Sequence, residues 1–84
     1  MPFSGDQITV TTTPQLVYSA AAKATLWVRP GGTLYLGANN SVSSSNGFIP
    51  QSGVLFEMEL ETGDEVWAVR STGTTDLQFM AVTK

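Results

Sequence analysis

The sequence contains no cysteine and no histidine, and these two absences remove several classes of function. Without cysteine the chain has no disulfide scaffold, no thiolate zinc site and no thiol nucleophile. Without histidine it has no serine–histidine triad, no imidazole metal ligand and no side chain that ordinarily titrates near neutrality. We therefore expect a protein that is not an enzyme, with no catalytic residues, no metal and no cofactor.

Charge is also scarce. Seven Asp and Glu against four Lys and Arg give 13% charged residues and a net charge of −3, compared with about 25% charged residues in an ordinary soluble domain. This balance lacks the basic footprint of a nucleic-acid-binding protein. No apolar run approaches the roughly 18–20 residues of a membrane span, and the N-terminus does not read as a signal peptide. We expect synthesis in a cytoplasm and neither nucleic acid nor membrane as a partner.

What is present is the period-two alternation of β-structure, punctuated by turn residues every eight to twelve positions. This pattern predicts an all-β fold, a small β-sandwich or barrel (jelly-roll-like) of about 7–8 short antiparallel strands. The predicted strands cover residues 7–13, 16–19, 25–29, 33–36, 41–45, 54–60, 65–71 and 76–82. The alternation places four apolar side chains in the core: Leu26, Val28, Leu34 and Leu36.

Three carboxylates share one face of the predicted strand 54–60 and its end. Glu57, Glu59 and Glu61 are spaced by two residues, so a strand projects them from the same side. The spacing leaves open a Ca²⁺ site, a glycosidase carboxylate pair or an acidic contact patch. It is also typical of a solvated face that discourages aggregation of an edge strand, and we favour this interpretation.

Large apolar side chains also fall on strand faces opposite the predicted core. Trp27, Tyr35 and Met80 are in this position. Contact between identical subunits would bury them and would add the buried surface that so short a chain lacks. We therefore predict a subunit interface at these three residues. Stacking on carbohydrate, or a second sheet of the same subunit, are the alternatives.

Two further segments are candidates for contact with a partner. Residues 1–6 show no strand pattern, and we predict an N-terminal arm there, followed by a single β-domain over residues 7–84. Pro2 and Phe3 would anchor the arm on a partner, unless the terminus is simply frayed. Phe48 and Ile49 form an apolar tip on a polar loop, which is either a contact point or a lid on the core.

Residues 24–82 carry a series of short motifs, each of which occurs once, in a definite order. They are Tyr35-Leu36-Gly37, the loop from Val42 to Phe48, Gly53 before an alternating strand, the run from Thr62 to Ala68, and Ser71-Thr72-Gly73-Thr74 before a last strand. In this order and spacing the chain resembles small β-domain virion proteins of tailed bacteriophages. It departs from their pattern at Ile49-Pro50, where the family has a Pro-Leu pair.

The resemblance implies a structural role in the virion. Proteins of this family are often head decoration (cement) proteins, commonly homotrimers, that bind the major capsid protein on the outer head surface. If the chain is such a protein, we predict that Pro2, Phe3, Phe48 and Ile49 contact the capsid and that Trp27, Tyr35 and Met80 join the subunits. The alternative is a tail or fibre component, or a module that binds glycans on the host surface.

Overall fold

The computed structural model describes residues 3–51 and 53–83, with side chains from Gln7 onward. This part of the chain is all-β and contains no helix, as the alternation predicts. The seven strands are β1 (Phe3–Val10), β2 (Gln15–Ser19), β3 (Ala24–Pro30), β4 (Tyr35–Gly37), β5 (Phe56–Leu60), β6 (Glu65–Val69) and β7 (Thr75–Thr83).

The strands form two antiparallel sheets, consistent with a small β-sandwich. The four-stranded sheet has the order β1-β7-β3-β5, and the three-stranded sheet has the order β2-β6-β4. Odd-numbered strands thus occupy one sheet and even-numbered strands the other, so every connection crosses from sheet to sheet. Strands β3 and β4 flank Pro30-Gly31-Gly32 but lie in different sheets, so this connection is not the turn of a hairpin.

One predicted strand is replaced by turns. Residues 41–45 form no strand because short polar side chains satisfy the backbone locally. The Asn39 Oδ1 accepts from the Ser41 N–H at 2.9 Å, and the Asn46 Oδ1 accepts from the Ser43 N–H at 2.8 Å. Such side-chain bonds offer the backbone an alternative to a strand ladder.

At the N-terminus the strand begins earlier than the sequence pattern indicates. Residues 3–6, which we assigned to the arm, form the first half of β1, with Phe3 opposite Val82 and Asp6 opposite Phe79. Strand β7 provides a ladder nine residues long, and this tertiary context overrides the weak strand propensity of Ser4 and Gly5. Residues 1 and 2 lie outside the described residues.

The core fills the space between the two sheets. The four predicted core side chains are all buried, which confirms the alternation in β3 and around β4. They pack with a larger set of buried apolar residues that includes Val10, Ala68, Leu77 and Ala81. The Thr25 side chain is buried as well, and its hydroxyl donates a hydrogen bond to Glu59 Oε1 at 2.8 Å.

Hydrogen bonds tie the sheet-crossing connections together at one corner of the sandwich. The Ala20 N–H donates to Asp64 O at 2.8 Å, and the Gly63 N–H donates to Ala20 O at 2.7 Å. Gly63 has φ of +93°, a conformation that glycine adopts without steric cost. The Asp64 carboxylate also accepts from the Glu61 N–H at 2.8 Å. This corner thereby holds the β2–β3 connection against the β5–β6 connection.

Arg70 fastens a second pair of connections. Its Nε donates to Thr33 O at 2.9 Å, and its Nη1 donates to Thr74 O at 2.6 Å. One side chain thus joins the β3–β4 connection to the β6–β7 connection. An arginine is suited to this because its planar guanidinium presents several donors in fixed directions.

The core assignment makes a quantitative prediction about two leucines. Leu26→Ala should lower the free energy of unfolding by about 2–5 kcal/mol, because it removes a fully buried side chain and leaves a cavity. Leu16→Ala makes the same chemical change at a side chain that is 42% exposed, and should cost less than about 0.5 kcal/mol. Urea denaturation followed by tryptophan fluorescence measures both. Equal losses would contradict the core assignment.

Candidate functional site

The outer face of the four-stranded sheet carries an apolar patch at its centre. Trp27 on β3 lies opposite Met80 on β7 and opposite Glu57 on β5. Because Leu26 and Val28 point into the core, period two turns Trp27 outward. Trp27 and Met80 are half-buried and border a shallow depression of about 170 Å³ together with the exposed Leu55. We call Trp27, Leu55 and Met80 the Trp27 patch.

Tyr35 is not part of this patch. It lies on β4 in the three-stranded sheet, opposite Val69. The loop after β4 packs closely on it: a Cβ added at Gly47 would come within 2.5 Å of the Tyr35 Cβ. Two of the three residues predicted at the subunit interface therefore share a surface, and the third lies on the other sheet.

Phe48 and Ile49 are exposed, at 54% and 56% of their surface. The tip does not project freely, since Phe48 and Leu36 exchange two backbone hydrogen bonds of 2.7 and 2.8 Å. The Phe48 ring contacts the Phe56 ring, with 5.1 Å between centroids. The tip thus extends the edge formed by β4 and contacts β5.

The predicted capsid contacts Phe3 and Phe48 do not converge in the described structure. The backbone of Phe3 lies on β1, whereas Phe48 contacts β5, and these strands form opposite edges of the four-stranded sheet. Pro2 lies outside the described residues. A capsid surface that contacts both Phe3 and Phe48 would have to extend across the four-stranded sheet.

Below the Phe48 tip, a groove of about 440 Å³ opens between the edges of the two sheets. Its walls are mainly apolar and include Leu36, Phe48, Phe56, Met58, Leu60 and Val66. Asp64 and Glu65 are also among the lining residues. No residue pattern had predicted this groove, and its only signal in the sequence is the apolar alternation of residues 54–60. Phe56 and Met58 remain half-buried because their strand is at the sheet edge.

The carboxylates near β5 each have different surroundings. Glu59 accepts from Thr25, Glu61 lies 3.8 Å from the Lys23 ammonium on the surface, and Glu65 accepts from the Trp67 indole N–H at 3.0 Å. Among the described residues, no group of three or more acidic side chains is placed to hold a metal ion. These contacts favour a charged surface over a convergent site.

No family model matches the chain, and comparisons with curated proteins and with solved structures also found no match. Within residues 3–51 and 53–83, no helix is long and apolar enough to cross a membrane. The two apolar surfaces, the Trp27 patch and the groove, are the features of this structure that bear on function.

The close packing of the loop on Tyr35 is testable at Gly47. Gly47→Ala would place a methyl group 2.5 Å from the Tyr35 Cβ and 2.9 Å from Ser43 O. We expect this overpacking to lower the free energy of unfolding by about 1–3 kcal/mol. It should also shift the NMR signals of the Phe48 and Phe56 rings. Ser44→Ala, at an exposed position of the same loop, is the control. Unchanged ring signals in Gly47→Ala would show that the loop does not depend on this contact.

Proposed function

We propose that the protein is a capsid decoration (cement) protein of a tailed phage, which binds the outer head surface as a homotrimer and stabilises the capsid without catalysis. The observation that carries this proposal is the Trp27 patch, an apolar surface at the centre of an exposed sheet face. The resemblance of residues 24–82 to small virion β-domains supports the same conclusion.

Self-association at the Trp27 patch suits a chain of this size. The accessible surface is 4692 Å², and a standard interface covers about 800 Å² on each partner. A subunit in a ring of three contacts two neighbours, and these two contacts together would bury roughly a third of the subunit's accessible surface. Fully burying a side chain such as Met80 contributes about 1.5–3 kcal/mol, a large share of the stability of a small domain.

The proposed mechanism on the capsid is passive. Phe48 and Ile49, together with Pro2 and Phe3, would contact the major capsid protein. A trimer presents each contact three times, so the second and third contacts form at a high effective concentration and avidity rises without new chemistry. Each bound trimer would add contact area across neighbouring capsid subunits and so resist the outward pressure of packaged DNA.

A specific observation also favours the second candidate, a tail or fibre module that binds host glycans. The depression beside Trp27 is lined by Arg29 and Gln78 as well as by apolar side chains. An aromatic face next to hydrogen-bonding side chains is suited to a sugar ring, which has one apolar face and a rim of hydroxyl groups.

The trimer is tested by placing a charge in the Trp27 patch. We expect sedimentation velocity to give about three times the monomer mass for the unmodified protein, and a monomer for Met80→Glu, because a carboxylate buried without a partner is costly. Leu16→Glu makes a matched change at an exposed leucine of the three-stranded sheet and should remain trimeric. A monomeric unmodified protein at about 100 µM would exclude the trimer.

The capsid contacts are tested on virions and purified heads. Labelled protein should appear on the head surface in electron micrographs. The double variant Phe48→Ala/Ile49→Ala should bind heads at least about tenfold more weakly, since the loss is repeated in each subunit. Leu16→Ala is the control. Phe3→Ala tests the arm better than deletion of residues 1–6, which would remove half of β1.

Label on the tail, or binding to a glycan array that Trp27→Ala abolishes, would instead support the glycan-binding alternative.

A further inference from the structure

Strand β5 has an edge that is available for pairing. It is the last strand of the four-stranded sheet and, in the described part of the chain, pairs only with β3. Its other edge presents backbone N–H and C=O groups to a strand from another molecule. The groove lies along the same strand, because Phe56, Met58 and Leu60 are among its lining residues. The edge and the groove therefore form one continuous surface.

The two faces of β5 differ sharply in chemistry. Met58 lies opposite the fully buried Leu26 and points to the groove side, whereas Glu57 lies opposite Trp27 and points to the outer face. Glu59 shares the outer face with Glu57 by period two. A strand added beside β5 would place alternate side chains next to the apolar row and next to the carboxylate row.

The charge around the groove is almost entirely negative. Five of the seven acidic residues of the chain fall within residues 57–65. Lys23 forms an ion pair with Glu61 on the exposed surface. A partner strand with cationic side chains would therefore be attracted, and an acidic strand would be repelled.

From these three features we propose that β5 binds an extended segment of another protein by strand addition, and that this segment alternates apolar and basic side chains. The apolar side chains enter the groove beside Phe56 and Met58. The basic side chains lie beside Glu57 and Glu59. The backbone bonds supply affinity, and the alternation supplies specificity and register.

A second copy of this chain does not supply such a segment from its described residues. Lys23 is paired with Glu61, Arg29 donates to Gly53 O at 3.4 Å, and Arg70 is bound to two loop carbonyls. The acidic row also protects the edge against self-pairing. The same carboxylates thus repel the acidic β5 of a second copy and attract a strand with basic side chains.

The binding test uses a capped seven-residue peptide in which lysine alternates with valine. Titrated into the full-length protein at low salt, it should shift and protect the amides of β5. Glu57→Lys should weaken its binding at least about fivefold, because attraction becomes repulsion. Asp76→Lys makes the same charge change on β7, away from the groove, and should change the affinity less than twofold.

Two further comparisons test the groove and the backbone pairing. Phe48→Ala removes an exposed side chain that lines the groove and should weaken the peptide about threefold or more. A peptide with every backbone nitrogen methylated keeps its charge and apolar side chains but cannot donate to the strand, and it should not bind.

Several results would overturn the proposal. They are equal weakening by Asp76→Lys and Glu57→Lys, undiminished binding of the methylated peptide, or no change at the β5 amides. Equal binding of a peptide with glutamate in place of lysine would also exclude strand addition by a basic segment. So would a peptide whose only effect is to make the protein self-associate. The peptide titration measures neither head binding nor subunit mass, so its failure leaves the proposed decoration function to be judged by its own tests.

Discussion

The packing of one sheet on the other is the interaction on which the whole structure depends. Consecutive strands always lie in different sheets, so no pair of neighbouring strands forms a hairpin that could be stable alone. Each strand is held by partners distant in sequence and by side chains such as Leu26 and Leu77 at the centre. A fold of this kind gains its stability only when both sheets have assembled, which makes folding cooperative and slow relative to helical proteins.

This constraint explains what the sequence could and could not predict. Alternation reports which side of a strand is apolar, and it identified Leu26, Val28, Leu34 and Leu36 because their strands are covered on that side. It does not report which strands are neighbours. Strand order decided that Phe56 and Met58 lie at an open edge, and pairing with β7 decided that Phe3 to Asp6 form a strand. Local hydrogen bonds of Asn39 and Asn46 decided that residues 41–45 do not.

The candidate surfaces show the same limit. Trp27 and Met80 could be predicted as outward residues from the alternation, but their position opposite each other follows from the register between β3 and β7. Tyr35 has a similar pattern, yet β4 belongs to the other sheet. The groove forms where the edges of the two sheets and the Phe48 loop come together, and a local sequence pattern does not predict such a tertiary arrangement. The low charge, in contrast, follows from composition, and the outward position of apolar residues follows from alternation.

The register of β1 with β7 has a mechanical consequence. Phe3 lies opposite Val82, so the two ends of the described chain leave the molecule side by side. A force that pulled these ends apart would load the β1–β7 hydrogen bonds one after another, beginning at this pair. A ladder opened in this way resists far less force than one sheared along its strands, because in shear all of its hydrogen bonds bear the load together. The sandwich would therefore begin to open at this corner, where β1 peels away from β7.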